Sequence, residues 1–291
     1  MRFLVLAVAL VSSPVLAHDF WIEPSAYTPG AGELVHLKLR VGEHLGGGTL
    51  PRDEERIESF TAFQAGSGTP VLGIDGSETA GILRPSAPGA VVVAYRSLPS
   101  AITLDAAEFA AYLETEGLPP VKPGREVFSR CAKSLLAVDG RGDPAFTLPV
   151  GLTLELVPDA DPYALAPGAR LTVRLLYEGK PLAGVLLMAL DAKTAKSPQR
   201  VRSDDEGRAT FALPRAGVWL IKAVHMTAAR RGDGAAWESY WASLTFSIPP
   251  STPLREDAVQ PGEGRGLGER VERSGRQDAL RGADEGAPSH P

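Results

Sequence analysis

Alternating apolar and polar positions predict β-strands over most of the chain. From Val35 to Val41 every second residue is apolar, whereas His36 falls on the intervening polar positions. We therefore expect His36 to be a solvent-exposed strand residue. Similar strand patterns, separated by turns that contain Gly or Pro, recur at 57–64, 71–74 and 90–97.

One segment has a helical pattern instead. Asp105 and Glu108 have the spacing of a capping box. Apolar residues then recur at helical spacing, and Gly117 with the two prolines that follow it ends the pattern. The sequence therefore predicts a helix near 105–116. The next patterned segment, 126–136, fits either a short helix or an extended strand.

After residue 150 the pattern becomes regular. Short apolar segments alternate with turns rich in Gly, Pro and Asp, which is typical of an antiparallel β-sandwich. The predicted strands lie at 152–157, 170–177, 185–190, 208–213, 218–225 and 239–248. The run GKPLAGVLLMALD, followed by SDDEGRATFALPRAGVWLIKAVH, resembles immunoglobulin-like or transthyretin-like sandwich modules. We expect a mainly β fold with two sandwich-like domains, at 18–149 and 150–249, and one short helix in the first.

The two ends of the chain have a different character. Residues 1–17 combine a short positive start, an almost wholly apolar stretch and a small residue, Ala17, at the end. This is the pattern of a signal peptide, and it predicts a periplasmic or secreted protein. Residues 250–291 are rich in Pro, Gly and charged side chains and poor in large apolar ones, which predicts a disordered tail.

Composition excludes several classes of partner. The net charge is −5 and positive residues form no stripe, so we expect no nucleic-acid partner. After residue 17 no apolar run is long enough to span a bilayer, so we expect no stable membrane anchor once the leader is removed.

Cys131 is the single cysteine and cannot form an internal disulfide. It has no His or Cys at metal spacing, and we interpret it as an inert, partly buried thiol. The oligomeric state stays open.

Candidate chemistry begins at the predicted cleavage site. Cleavage after Ala17 makes His18 the first residue of the mature chain. Its free α-amine and ring Nδ1 can then chelate one metal ion together, and both lose a proton easily near neutral pH. Copper(II), nickel(II) and zinc all accept such nitrogen ligands. The alternative is that cleavage simply happens to leave a histidine at this position.

Other candidate ligands are spread along the chain. His44 lies in the glycine-rich loop 42–48, where it is either a ligand or an ordinary turn residue. His225 ends a predicted strand, either as a ligand or as a core histidine bonded to the backbone. Glu238 is expected to meet His225 or to form salt bridges at the rim. Asp19 is a further acidic candidate.

Five motifs, in order along the chain, resemble one family. They are AHDFWIEPS, YRSLPSAITLDAAEFAAYLETEGL, SRCAKSLLAV, LELVPDADPYAL, and GVWLIKAVHM with WESYWASLTF. Together they resemble the DUF4198 family, exported proteins described as periplasmic components of nickel or cobalt uptake systems, over nearly all of 17–249. The resemblance implies a periplasmic, mostly β protein that handles a divalent transition metal. The leading His of the family falls on His18 and its strand-end His-Met on His225-Met226, whereas the Asp expected before the Trp-Glu pair is Ala236 here.

The resulting hypothesis is a metal-binding protein. We expect nickel, cobalt or copper to be held by His18 and His225, with His44 or an acidic group, Glu238 or Asp19, as a further ligand. For these residues to meet, the N-terminal segment must dock on the second sandwich through Phe20 and Trp21. A membrane metal transporter is the expected partner.

Two alternatives come from other classes. The aromatic cluster Trp237, Tyr240 and Trp241 is either ordinary packing between sheets or a platform for a metal-independent protein or glycan partner. An N-terminal histidine also suits a copper-dependent oxidative enzyme. The sequence contains no nucleophile motif, no His-Glu-x-x-His and no phosphate-binding glycine loop, so we expect no enzymatic activity.

Overall fold

The computed structural model describes residues 18–230 and 234–250. Within these ranges it contains one α-helix, α1 (Ala106–Thr115), and seventeen strands. In chain order the strands are β1 (Asp19–Pro24), β2 (Val35–Gly42), β3 (Gly48–Leu50), β4 (Ile57–Gln64), β5 (Ser67–Pro70), β6 (Gly81–Leu83), β7 (Gly89–Ser97), β8 (Ser100–Ile102), β9 (Glu126–Val138), β10 (Leu154–Pro158), β11 (Ala169–Tyr177), β12 (Lys180–Pro181), β13 (Leu186–Asp191), β14 (Gln199–Arg202), β15 (Arg208–Leu213), β16 (Gly217–Ala228) and β17 (Trp237–Ile248). The predicted leader at 1–17 and the predicted tail from residue 251 lie outside the described ranges. None of the helical structure in the described part is long and apolar enough to cross a membrane.

The strands of the described ranges form three sheets. The central sheet has nine strands in the order β14-β13-β16-β17-β9-β7-β4-β5, with β8 paired beside β9. Its strands pair antiparallel except β17 and β9, which run parallel. The first small sheet is β1-β2-β3 with β6 beside β2, and the second is β10-β11-β12 with β15 beside β11.

The central sheet is buried on both faces. On β7, Val92 and Ala94 join a core with Leu171 and Phe211 of the second small sheet. The intervening residues of β7, such as Val93, join a separate core with the first small sheet. Because strand side chains alternate between faces, one sheet serves two sandwich-like packings. The predicted mainly β, sandwich-like fold with one helix is confirmed.

The central sheet draws on both halves of the chain. Strands β4, β5, β7, β8 and β9 come from before residue 150, and β13, β14, β16 and β17 come from after it. The parallel pairing of β9 with β17 joins the two halves directly. The division into domains at residue 150 stays a prediction, and both halves of the chain contribute strands to the central sheet.

The structure corrects one sequence interpretation and decides another at the level of elements. The segment 71–74 is not a strand: Leu72 makes an isolated bridge to Ile82, and both Leu72 and Ile74 are exposed. The segment 126–136 is extended and belongs to the thirteen-residue strand β9. This confirms the strand alternative over the short helix.

Helix α1 begins as predicted. The Asp105 side chain accepts from the backbone of Glu108, and the Glu108 side chain accepts from the backbone of Asp105, which completes the capping box. The apolar face of the helix packs against Val224 of β16 and Trp241 of β17. This packing places Glu116, the residue that caps the helix C-terminus, beside the central sheet.

Strand β1 forms at the predicted start of the mature chain. It pairs antiparallel with β2, so that Asp19 lies opposite Gly42. Trp21 is 1% exposed and packs with Leu190 and Leu220, which belong to strands of the second half. The expected docking of this segment through Trp21 is therefore present. Phe20 points to the other core, where it contacts Tyr95.

Candidate functional site

Two of the predicted histidines lie close together around an acidic residue that the sequence reasoning did not select. His18 precedes β1, and its Nδ1 is 3.7 Å from Oε1 of Glu43. His44 Nδ1 is 3.8 Å from the other oxygen, Oε2, of the same carboxylate. The Nδ1 atom of His18 is buried and has no hydrogen-bond partner. We call His18, Glu43 and His44 the N-terminal cluster.

The loop that carries Glu43 and His44 depends on glycine. A Cβ at Gly42 would lie 2.1 Å from the carbonyl oxygen of Gly46, and a Cβ at Gly47 would lie 2.2 Å from that of Val41. Contacts this short are sterically excluded, so only glycine allows the backbone to approach itself here. The tight return of the loop brings its side chains back towards the start of β1.

A buried charge group lies beside the N-terminal cluster. The Lys222 ammonium donates to Asp19 Oδ1 at 2.5 Å and to Glu116 Oε1 at 2.9 Å. The side chain of Lys222 is 12% exposed, that of Asp19 8% and that of Glu116 3%. Burial lowers the pKa of Lys222, but the two carboxylates outweigh it, so the net shift of that pKa is upward. The ammonium therefore stays charged and anchors β1 to β16 and α1.

His225 lies on the other side of the central sheet. Lys222, which contacts the start of β1, and His225 are three residues apart on β16, so their side chains point to opposite faces. His225 packs edge-on against Tyr177 with ring centroids 4.7 Å apart. Burial, followed by the charge of Arg230, lowers the pKa of His225. The structure does not bring His18 and His225 together, because β1 packs on the face that His225 points away from.

Glu238 also lies on the His225 face. It is 8% exposed, accepts a hydrogen bond of 2.9 Å from Tyr240 Oη and has Oε2 3.5 Å from Nε of Arg230. This arrangement corresponds to the salt-bridge alternative. Asp19, the other acidic candidate, is engaged by Lys222.

The aromatic cluster is largely internal. Tyr240 and Trp241 are 7% and 8% exposed, and Trp241 stacks on Tyr112 with an interplanar angle of 10°. The Trp237 indole donates to the carbonyl oxygen of Lys122. These side chains pack between layers. The arrangement favours ordinary packing between sheets over a stacking platform for a partner.

Sequence reasoning missed Glu43, Lys222 and Glu116. Glu43 adjoins His44 in the glycine-rich loop 42–48, and this position is the signal that could have found it. Lys222 interrupts an otherwise apolar stretch of β16, and a lone charge there signals a buried partner. Glu116 gives no local signal, because its burial depends on where α1 docks.

Two further features of the described residues concern metal-site geometry and the single thiol. Within 18–230 and 234–250, no group of three or more His, Cys, Asp or Glu side chains has the arrangement of a metal site. Cys131 is 1% exposed, and burial raises its pKa to about 11, which suits the inert thiol predicted.

The comparison with protein families identifies the chain. The model described as "Domain of unknown function (DUF4198)" matches residues 15–227, well over half of the sequence. The chain belongs to the DUF4198 family. The resemblance to this family is thereby confirmed, although the match ends before the segment WESYWASLTF of the fifth motif.

Other comparisons add little to this assignment. No curated protein matches this DUF4198 chain. Among solved structures it is similar to the D0–D1 domain of intimin, with 16% identity over 78% of this chain and 97% of the other and a TM-score of 0.20. It is also similar to the Bacillus anthracis TIE protein, with 11% identity over 83% and 40% of the two chains and a TM-score of 0.18. Likenesses at these TM-scores bear on neither fold nor function.

Proposed function

We propose that this DUF4198 protein, after cleavage before His18, binds a divalent transition metal outside the cytoplasm. The ligands are the α-amine and ring Nδ1 of His18, the carboxylate of Glu43 and the ring of His44. The role is capture of nickel, cobalt or copper as an accessory of metal uptake, with a membrane transporter as the recipient. It is a binding role, without catalysis.

The observation that carries this proposal is the unpaired Nδ1 of His18. A buried polar atom without a partner costs free energy, and native proteins rarely leave one without a reason. Oε1 of Glu43 lies 3.7 Å from this Nδ1, and a cation between the two atoms would satisfy both. As they stand, the side chains of His18, Glu43 and His44 do not have the arrangement of a metal site. The site that we propose is completed when cleavage frees the α-amine of His18 and the exposed side chains of Glu43 and His44 turn towards the metal.

The donor set also limits the metal. Three nitrogens and one carboxylate oxygen suit copper(II) and nickel(II), and the general order of affinities favours copper. His225 is not part of this set, since it lies on the far face of the sheet. Asp19 supports the set indirectly, because its bond to Lys222 fixes the start of β1.

Exposure supports a role in transfer. The side chains of Glu43 and His44 are 57% and 48% exposed. Ligands at the surface can pass a metal to another protein without local unfolding, whereas a buried structural site holds it. The exported location follows from the predicted leader.

The proposal is tested by calorimetric titration of Ni(II), and separately Cu(II), into protein that begins at His18. A four-ligand metal site is worth about 10–16 kcal/mol, hence about 3 kcal/mol or about 100-fold for each ligand. His18→Ala is expected to weaken binding by about that factor, and Glu43→Gln and His44→Ala by at least about tenfold.

Two histidines provide matched controls. His36→Ala removes an exposed histidine of the same small sheet, and His225→Gln removes the candidate on the far face. Both variants are expected to bind metal as the unaltered protein does. Full binding by His18→Ala, or loss of binding in His225→Gln, would overturn the proposed ligand set.

A further inference from the structure

A cleft, lined in part by Glu43 and His44 of the N-terminal cluster, opens on the face of the central sheet that carries α1. It has a volume of about 380 Å³, which is enough for a small molecule. Polar groups line one part of it and apolar groups another. The lining residues used below are Glu116 and Lys222 at the buried end, Lys196 and Arg200 as further cations, and Met188, Leu190 and Ala195 as an apolar wall.

Glu116 provides an unused acceptor at the buried end. Its side chain is 3% exposed, and Oε1 accepts from Lys222. The second oxygen, Oε2, is buried and has no hydrogen-bond partner. Burial raises the pKa of this carboxyl although Lys222 opposes the shift. A cationic donor at Oε2 would complete its hydrogen bonding and offset the cost of burial.

Arg200 provides a positive group held near that acceptor. Its Nη2 donates to the carbonyl oxygen of Thr115, the residue before Glu116, at 3.0 Å. The Nη1 atom lies 3.6 Å from the sulfur of Met188. A guanidinium has five N–H groups, so others remain for a carboxylate in the cleft. Lys196 adds a second positive charge to the lining.

The wall between these polar groups is apolar. Met188 and Leu190 are 3% and 2% exposed, and Ala195 is 7% exposed. An aliphatic side chain placed against them would be removed from water. A ligand that suits the whole cleft therefore has an ammonium, a carboxylate and an aliphatic group.

We propose that this cleft binds a free α-amino acid with an aliphatic side chain. The ammonium donates to Oε2 of Glu116, the carboxylate accepts from Arg200, and the side chain packs on Met188 and Leu190. This function goes beyond metal capture and does not require a metal.

The test is calorimetric titration of L-leucine into metal-free protein that begins at His18. Two analogues probe the polar contacts on the unaltered protein: 4-methylpentanoate lacks the ammonium, and 3-methylbutylamine lacks the carboxylate. Each is expected to bind at least about tenfold more weakly than leucine, since each loses a charge-assisted contact.

Variants assign the contacts to residues. Glu116→Gln and Arg200→Gln are each expected to weaken leucine binding by at least about tenfold. Glu114→Gln is the matched control, because it makes the same substitution on an exposed residue of the same helix, and it is expected to bind leucine normally. Circular dichroism checks that each variant is folded.

Several results would overturn the amino-acid site. The first is absence of leucine binding at millimolar concentration. The second is an analogue that binds as tightly as leucine. The third is a Glu114→Gln variant that loses as much leucine affinity as Glu116→Gln. The analogue arm does not depend on the folding of any variant. Because no metal is present, failure here leaves the metal proposal untouched, and failure of metal binding leaves this one untouched.

Discussion

Replacing Lys222 by Met is the perturbation for which the structure gives the clearest magnitude. The ammonium is the cation that neutralises Asp19 and Glu116, with donor–acceptor distances of 2.5 and 2.9 Å. Both carboxylates are more than nine-tenths buried. Methionine has a similar volume but no charge, so the substitution leaves two neighbouring carboxylates without their shared partner.

The expected cost follows from that arrangement. Removal of one partner from a buried ion pair destabilises a protein by about 3–5 kcal/mol, because a charge is left without compensation. The total stability of a domain is about 5–15 kcal/mol, so Lys222→Met should remove a large part of it. Adding Asp19→Asn and Glu116→Gln removes the stranded charges, and we expect the triple variant to regain at least about half of the loss.

Urea unfolding at neutral pH measures both effects, provided that the m-values of the variants agree. Lys193→Met is the matched control. It makes the same substitution at an exposed position and should change the free energy of unfolding by no more than about 0.5 kcal/mol. A loss below about 1 kcal/mol in Lys222→Met, or a triple variant as unstable as the single one, would refute the reasoning.

Two further predictions concern buried carboxylates away from the cleft. Burial raises the pKa of Glu126, so its folded-state pKa exceeds the unfolded-state value of about 4.3. The free energy of unfolding therefore falls as the pH rises from the unfolded-state pKa to the folded-state pKa. Glu126→Gln should therefore be more stable than the unaltered protein at pH 8, by about 1.4 kcal/mol for each unit by which folding raises the pKa of Glu126. This advantage should disappear near pH 4. A gain in thermal stability that does not depend on pH would contradict the prediction. Glu155 accepts hydrogen bonds from Lys133 at 2.5 Å and from three backbone N–H groups of the segment 150–152. Lys133→Met therefore leaves the carboxylate with three partners. Glu155→Gln instead leaves the buried ammonium of Lys133 without a compensating charge. We expect Glu155→Gln to cost about 3–5 kcal/mol and Lys133→Met clearly less, and urea unfolding in the reverse order would disprove the assignment.

Regular alternation made much of the fold predictable. Strand β2 has one buried and one exposed face, so Val35 and Leu37 identify it and His36 is exposed as expected. The capping box of α1 is local chemistry, and it was readable from Asp105 and Glu108 alone. Elements of this kind need no knowledge of the rest of the chain.

Strands buried on both faces were harder to identify. In β9 nearly every residue is buried, including Lys133, so no period of two appears in the sequence. Strand β1 has the same property, since Phe20 and Trp21 are buried in different cores. Which sheets cover these strands depends on contacts distant in sequence.

The candidate site shows the same division. Sequence pattern placed His225 on the face of β16 shared with Trp219 and Ile221, and that placement is confirmed. The face on which the start of β1 docks is set by tertiary packing, and it is the opposite one. The sequence could therefore nominate His18 and His44, but it could not choose their neighbours.

The most direct test of the central claim is the metal affinity of two proteins that differ by one residue. One begins at His18, and the other carries a single alanine before it, which converts the α-amine of His18 into an amide; intact mass verifies both starts. Loss of one nitrogen ligand predicts binding of Ni(II) or Cu(II) weaker by about 100-fold in the extended protein, as measured by calorimetric titration. Equal affinity of the two proteins would contradict the account, because the amine of His18 would then not be a ligand.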